Sequence, residues 1–109
     1  MTEVTFYQSS KNECKGFRVS GHAGYGEQGE DIVCAAISAL VINTVNSIEA
    51  FTEDDFTVDV DEQTADIQLL INGEPSREAL LLLNSLILGL QRMEDEQYTD
   101  FIDIIFEEV

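Results

Sequence analysis

The sequence predicts an α+β sandwich with the element order β-β-α-β-β-α-β, in which a mainly antiparallel sheet packs against two helices. Short runs of β-branched and aromatic residues suit strands, two longer apolar runs suit helices, and polar or glycine-containing turns separate them. With 109 residues and 44% hydrophobic content, the chain is expected to form one domain over residues 1–109.

Two hairpins and a closing strand account for the predicted sheet. Residues 4–9 and 16–20 carry β-branched and aromatic side chains on either side of a polar turn, which indicates an N-terminal hairpin. Residues 56–60 and 65–71 alternate apolar and acidic positions around a polar turn, as in a strand pair with one buried and one solvated face. Residues 98–106 follow an acidic break and read as the last strand.

Two helices are predicted between these strands. The alanine-rich apolar run at residues 32–48 has the length of a helix, and Asp31 offers a side-chain oxygen for its N-cap. Pro75 suits a first helical turn, and residues 76–93 carry strong helix formers. Residues 80–88 are apolar almost all round, which predicts a homodimer contact or a helix buried deeply in its own domain.

The chain has a single histidine, His22, which precedes Cys34 across a glycine-rich stretch. Four glycines between positions 21 and 29 allow tight turns and close approach of a bound peptide. Cys34 falls in the first turn of the predicted helix, where the helix dipole and a cationic His22 favour a thiolate, although nearby acidic residues oppose it. From the residues alone, both a nucleophile–base pair and two structural side chains remain open.

The segments around these two residues resemble the signature of the bacterial ribosomal-processing cysteine protease (Prp) family. The resemblance rests on residues 21–23 (Gly-His-Ala), the glycine-rich spacer, and residues 31–38 (Asp-Ile-Val-Cys-Ala-Ala-Ile-Ser). It implies a small cytosolic cysteine endopeptidase that removes an N-terminal extension from large-subunit ribosomal protein twenty-seven.

By this resemblance His22 matches the general base and Cys34 the nucleophile, while Gly21, Asp31 and Ser38 match supporting positions. Ser38 lies one helical turn after Cys34 and shares its face, where it can orient a substrate group or simply pack. Asp31 can cap the helix, orient His22, or do both. Amides near the helix start, including that of Cys34, are candidate donors to an oxyanion. The mechanism requires no metal and no cofactor.

Cys14, the other cysteine, is predicted to be a non-catalytic thiol because it lies on a strand, away from any helix start. A zinc site built from Cys14, His22 and Cys34 is disfavoured, since no two of them have the close spacing of zinc ligands. Two cysteines are too few for a disulfide scaffold, and no secretory signal or membrane segment is expected, so the cytoplasm is the predicted location.

The net charge of −17 argues against direct binding of nucleic acid, which needs clustered lysines and arginines. It suits a cationic protein substrate, such as the ribosomal protein that the resemblance implies, and it also serves solubility. Two other functions remain open from the sequence. One is a non-enzymatic acidic module that binds a basic ribosomal protein, and the other is a thiol redox protein that uses Cys34.

Overall fold

Five strands form one sheet, and two helices cover one of its faces. The computed structural model describes residues 2–21, 28–64, 66–96 and 101–109. In chain order the elements are β1 (Thr2–Gln8), β2 (Cys14–Ser20), α1 (Gln28–Phe51), β3 (Phe56–Val60), β4 (Ile67–Ile71), α2 (Arg77–Glu96) and β5 (Ile102–Glu108). This order confirms the predicted α+β class.

The strands lie side by side in the order β3-β4-β2-β1-β5. Both predicted hairpins form, and β2 also pairs with β4 in the antiparallel sense. The strand β5 differs, because it follows the crossover helix α2 and runs parallel to β1. The sheet is therefore mainly antiparallel, as predicted, with one parallel pair at its edge.

Alternate residues of the strands supply one apolar face to the core. The register places Val4 opposite Val19, and Phe6 opposite Phe17, so these side chains point to the same side. The remaining buried core residues of the sheet are Cys14, Leu69, Ile71 and Ile102. The hydrophobic core is thus a single layer between this face and the helices.

Each helix contributes a buried stripe at helical spacing. In α1 the stripe is formed by Val33, Ile37, Val41 and Ile48, and in α2 by Ala79, Leu83, Leu86 and Leu90. A Cβ atom at Gly89 of α2 would lie 3.6 Å from Leu40 Cδ1 of α1, so the two helices also pack closely against each other. The predicted leucine-rich helix is therefore partly a core helix, whereas Leu81 and Leu88 remain exposed on it.

The segment Ile32–Phe51 of α1 has the length and the mean hydropathy, 1.6, of a membrane-spanning helix. Core helices pass the same test, and the buried stripe of α1 belongs to the core against the sheet. The absence of a membrane segment stays a prediction.

The start of α2 is fixed by two polar side chains. Ser76 Oγ accepts a hydrogen bond from the Ala79 amide at 3.1 Å, and Asp54 Oδ2 accepts one from the Ser76 amide at 2.7 Å. Burial raises the pKa of the Asp54 carboxyl, but the hydrogen bonds from Ser76 and Thr52 outweigh it and hold that pKa below its ordinary value. Ser76 is thus the N-cap, and Pro75 precedes the helix instead of lying in its first turn.

The strand β2 approaches β4 closely at Gly16, which lies opposite Leu70. A Cβ atom built at Gly16 would overlap the carbonyl oxygen of Leu69 and lie 3.1 Å from the Leu70 Cα. Only a residue without a side chain fits this position, because both obstacles are backbone atoms.

Candidate active site

Cys34 projects from α1 towards the start of β1. Its side chain is only 7% exposed, and its Sγ lies 3.5 Å from the hydroxyl oxygen of Thr2, which is fully buried. Either the thiol or the hydroxyl can donate this hydrogen bond. The sulfur is therefore held at one corner of the sheet, where the first strand begins.

Two other chain segments, the start of β5 and the end of β2, meet at this corner. The Thr2 amide donates to the Phe101 carbonyl at 2.9 Å, and Thr2 pairs with Ile102 at the start of β5. On the other side, Glu3 pairs with Ser20, the last residue of β2. The chain therefore leaves β2, towards His22, at the same corner of the sheet where Thr2 contacts Cys34.

Gly21 directly follows β2 and has a φ of 79°, in the left-handed region that residues with a Cβ rarely adopt. Its position explains why the sequence has glycine there, since the chain must turn as it leaves the sheet. His22 and the glycine-rich residues up to 27 lie outside the described residues. The pairing of His22 with Cys34 therefore stays a prediction.

The predicted capping role of Asp31 is wrong, because α1 begins at Gln28 and already includes Asp31. The sequence-based boundary gave too much weight to Gly29. One glycine costs a helix only about 1 kcal/mol, and glutamine and glutamate are good helix formers on either side of it. An orienting role of Asp31 towards His22 is not tested by this boundary.

The earlier helix start also moves Cys34 out of the first turn. Six helical residues precede it, so its backbone amide falls within the intrahelical hydrogen-bond ladder and is not one of the unpaired amides at the helix start. The amide of Cys34 is consequently a poor candidate for an oxyanion donor. The helix dipole also acts less strongly on the sulfur than predicted, since its effect falls off within the first turn.

Ser38 lies one turn after Cys34 in α1 and is half-buried. Its place on the same helix face agrees with the spacing in the sequence. Its role in orienting a substrate group stays a prediction.

Cys14 begins β2 and is 1% exposed in the hydrophobic core. Its thiol donates a hydrogen bond to the Gly16 carbonyl at 3.3 Å. Burial raises the pKa of this thiol from 9.0 to about 11, and an opposing effect of the Gly16 backbone is smaller than that of burial. A buried thiol that stays protonated at neutral pH is a poor nucleophile.

This raised pKa predicts a loss of stability in alkali. Between pH 9 and about 11 the unfolded chain releases the Cys14 proton while the folded chain keeps it, so the free energy of unfolding falls as pH rises. The protonated Cys14 thiol contributes its full share of the free energy of unfolding below pH 9. About 3 kcal/mol of that free energy is lost by pH 11. Urea unfolding of the unmodified protein and of Cys14→Ala across this range measures it. If the free energy of unfolding fell with pH equally in the two proteins, the prediction would be contradicted.

Within the described part of the chain, no three His, Cys, Asp or Glu side chains form a group that could hold a metal ion. Cys14 and Cys34 are both free thiols. A cavity of about 530 Å³ opens at the far end of α1, between Phe51, Asp54 and Glu78. Cys34 is near the opposite end of that helix and does not line this cavity. The candidate active site is therefore the corner where Cys34 meets Thr2.

Residues 1–103 match the family model described as cysteine protease Prp. The chain belongs to the Prp family of cysteine proteases. This membership confirms the family that the sequence resembles, and the protein is therefore an enzyme. It decides against the two other functions, the acidic binding module and the thiol redox protein.

Relatives from Staphylococcus aureus support the assignment to the Prp family. The ribosomal processing cysteine protease Prp of this organism is 33% identical over 78 residues, which cover 72% of this chain and 74% of the relative. A solved structure of the S. aureus Prp in complex with a substrate peptide has a TM-score of 0.91 and 28% identity, covering 98% of this chain and all of the other. A second solved structure of the S. aureus Prp, in complex with a covalently linked product peptide, has a TM-score of 0.87 at the same identity and coverage.

Thr2 is the residue at this site that the sequence did not reveal. The predicted first strand began at residue 4, and the contact joins residues 32 positions apart. No local pattern marks such a contact, because a threonine at the start of a strand has no feature that distinguishes it from an ordinary strand residue.

Proposed function

We propose that this protein is the cysteine endopeptidase that removes the N-terminal extension of large-subunit ribosomal protein twenty-seven, with Cys34 as nucleophile and His22 as general base. The position of Cys34 carries the proposal. Of the two cysteines, only Cys34 lies at the corner where β2 leads towards His22, whereas Cys14 is locked in the core. The covalently linked product peptide in the S. aureus structure supports a covalent mechanism in the family.

The reaction follows from these two residues. His22 takes the thiol proton as Cys34 Sγ attacks the scissile carbonyl carbon. The tetrahedral intermediate collapses, the C–N bond breaks, and the amine leaves with the proton from His22. Water, deprotonated by His22, then hydrolyses the thioester and restores the thiol. Gly21 supports the turn towards His22, and Asp31 and Ser38 are further candidates for orienting the base and the substrate.

The charge of the protein supports a cationic substrate. A net charge of −17 on 109 residues attracts lysine- and arginine-rich segments and raises their encounter rate with the enzyme at low ionic strength. The same charge disfavours direct contact with ribosomal RNA. Ribosome assembly takes place in the cytoplasm, which is where we place this activity.

The test is intact-mass spectrometry of the extended ribosomal protein after incubation with this enzyme. We expect a single cleavage that releases the N-terminal extension, and His22→Ala should remove that cleavage while leaving the fold unchanged by circular dichroism. A ribosomal protein whose extension has already been removed is the control, and it should stay intact. An uncut extended protein, in the presence of demonstrated binding, would contradict the proposal.

We further propose a homodimer through α2. Leu81 and Leu88, seven residues apart on one helix face, are 70% and 55% exposed and are supported by the half-buried Leu80 beside them. Sedimentation should give a dimer mass for the unmodified protein, and Leu81→Glu with Leu88→Glu should give a monomer that remains folded. An unmodified protein that sediments as a monomer at micromolar concentration would refute this arrangement.

A further inference from the structure

We infer that Thr2 is a positioning residue for the nucleophile: its hydroxyl holds the sulfur of Cys34 in place and donates a hydrogen bond to the thiolate. This inference rests on the proposed function, because it takes Cys34 as the nucleophile. It goes further by assigning a role to a residue at the start of β1, outside the segment that contains His22 and Cys34.

Thr2 and Cys34 are in direct contact. Thr2 Oγ1 lies 3.5 Å from Cys34 Sγ, within hydrogen-bond range for sulfur, and both side chains are buried. When Cys34 is protonated, either group can donate. Once the proton has left, the sulfur can only accept, so the hydroxyl must donate.

The strength of this hydrogen bond depends on the charge of the sulfur. A hydrogen bond to a charged acceptor is roughly twice as strong as one between neutral groups. The hydroxyl therefore stabilises the thiolate more than the thiol, which favours the reactive form of Cys34. Because Cys34 is only 7% exposed, little solvent is present to replace the hydroxyl as a donor.

The sheet holds the Thr2 hydroxyl rigidly. Thr2 is fully buried and its amide is bonded to the Phe101 carbonyl at 2.9 Å, while its neighbour Glu3 pairs with Ser20. The β-branched side chain has few rotamers, so the hydroxyl is held by the sheet before any substrate arrives. A residue with no exposed surface does not contact the substrate and acts only through the sulfur.

The experiment measures the ionisation of Cys34 without relying on proteolysis. Iodoacetamide alkylation is followed across pH by peptide mass spectrometry in the unmodified protein and in Thr2→Val, which keeps the shape of the side chain and removes the hydroxyl. We expect the pH midpoint for Cys34 to rise and the alkylation rate at pH 7 to fall about fivefold, the difference between a charged and a neutral hydrogen bond. Cys14, with its pKa of about 11, is the unreactive internal reference.

Three further variants separate this role from a merely structural one. Thr2→Ser restores the hydroxyl and should restore the midpoint, and Thr2→Ala provides a second loss of the hydroxyl if valine disturbs folding. Thr5→Val is the matched control, since Thr5 is also buried in β1 but occupies the other face of the sheet. In peptide cleavage, Thr2→Val should lower kcat and leave KM nearly unchanged.

An unchanged midpoint in Thr2→Val and Thr2→Ala would overturn the inference, as would a Thr2→Ser variant that behaves like Thr2→Val. The failure of the proposed function looks different. In that case the unmodified protein would leave the extended ribosomal protein uncut, or Cys34→Ala would still cleave it. The effect of Thr2 on the alkylation of Cys34 is measured independently of any cleavage.

Discussion

Replacing Cys34 by alanine should lower kcat/KM for the extended ribosomal protein by about 10⁴-fold or more, since a covalent mechanism loses its nucleophile. Binding of the substrate peptide should persist, because the removed sulfur is only 7% exposed and the surface charge is unchanged. Steady-state cleavage measures the first quantity, and fluorescence anisotropy of a labelled peptide measures the second.

The matched control is Cys14→Ala. That thiol lies in the core and makes its bond to the Gly16 carbonyl, so its removal should change stability but leave turnover nearly intact. If Cys34→Ala retained measurable processing while Cys14→Ala was inactive but folded, the nucleophile would be Cys14 and the assignment to Cys34 would be wrong.

Replacing Gly16 by alanine should destabilise the fold by about 3 kcal/mol or more, a large part of the stability of a small domain. The added Cβ meets the carbonyl oxygen of Leu69 and the Cα of Leu70, and a backbone atom cannot rotate out of the way as a side chain can. Relief requires β2 and β4 to separate, which breaks the pairing at the centre of the sheet. Urea denaturation of the purified variant gives the loss directly.

Gly89→Ala is the matched control for this prediction. Its Cβ would make an ordinary contact of 3.6 Å with Leu40, and alanine is a better helix former than glycine by about 1 kcal/mol. This variant should be as stable as the unmodified protein or more so. A Gly16→Ala protein with the same denaturation midpoint as Gly89→Ala would show that the two strands have room that the structure does not indicate.

The parts of the fold that the sequence predicted correctly depend on local patterns. The hairpin of Phe56–Val60 with Ile67–Ile71 follows from alternating side chains on either side of a polar turn, and both pieces of information lie within sixteen residues. The buried stripe of α2 likewise follows from helical spacing. The parallel pairing of β5 with β1 did not follow, since no local signal tells which strand a crossover will join.

The candidate site shows the same division between local and distant information. Gly21 and the spacing of Ser38 after Cys34 could be interpreted from the sequence, because a turn and a helix face are local features. The start of α1 was placed four residues too late, as helix ends depend on small energy differences that one glycine does not decide. Thr2 was missed because its contact with Cys34 exists only in the assembled sheet.

The pairing of Thr2 with Ile102 joins positions separated by nearly the whole chain. Closing a loop of that length carries a larger entropic cost than closing a hairpin, and contacts of this kind slow folding. The neighbourhood of the thiol is therefore among the least local features of the molecule. A growing polypeptide cannot assemble it before β5 has been synthesised, so Cys34 acquires these surroundings long after α1 itself is available to fold.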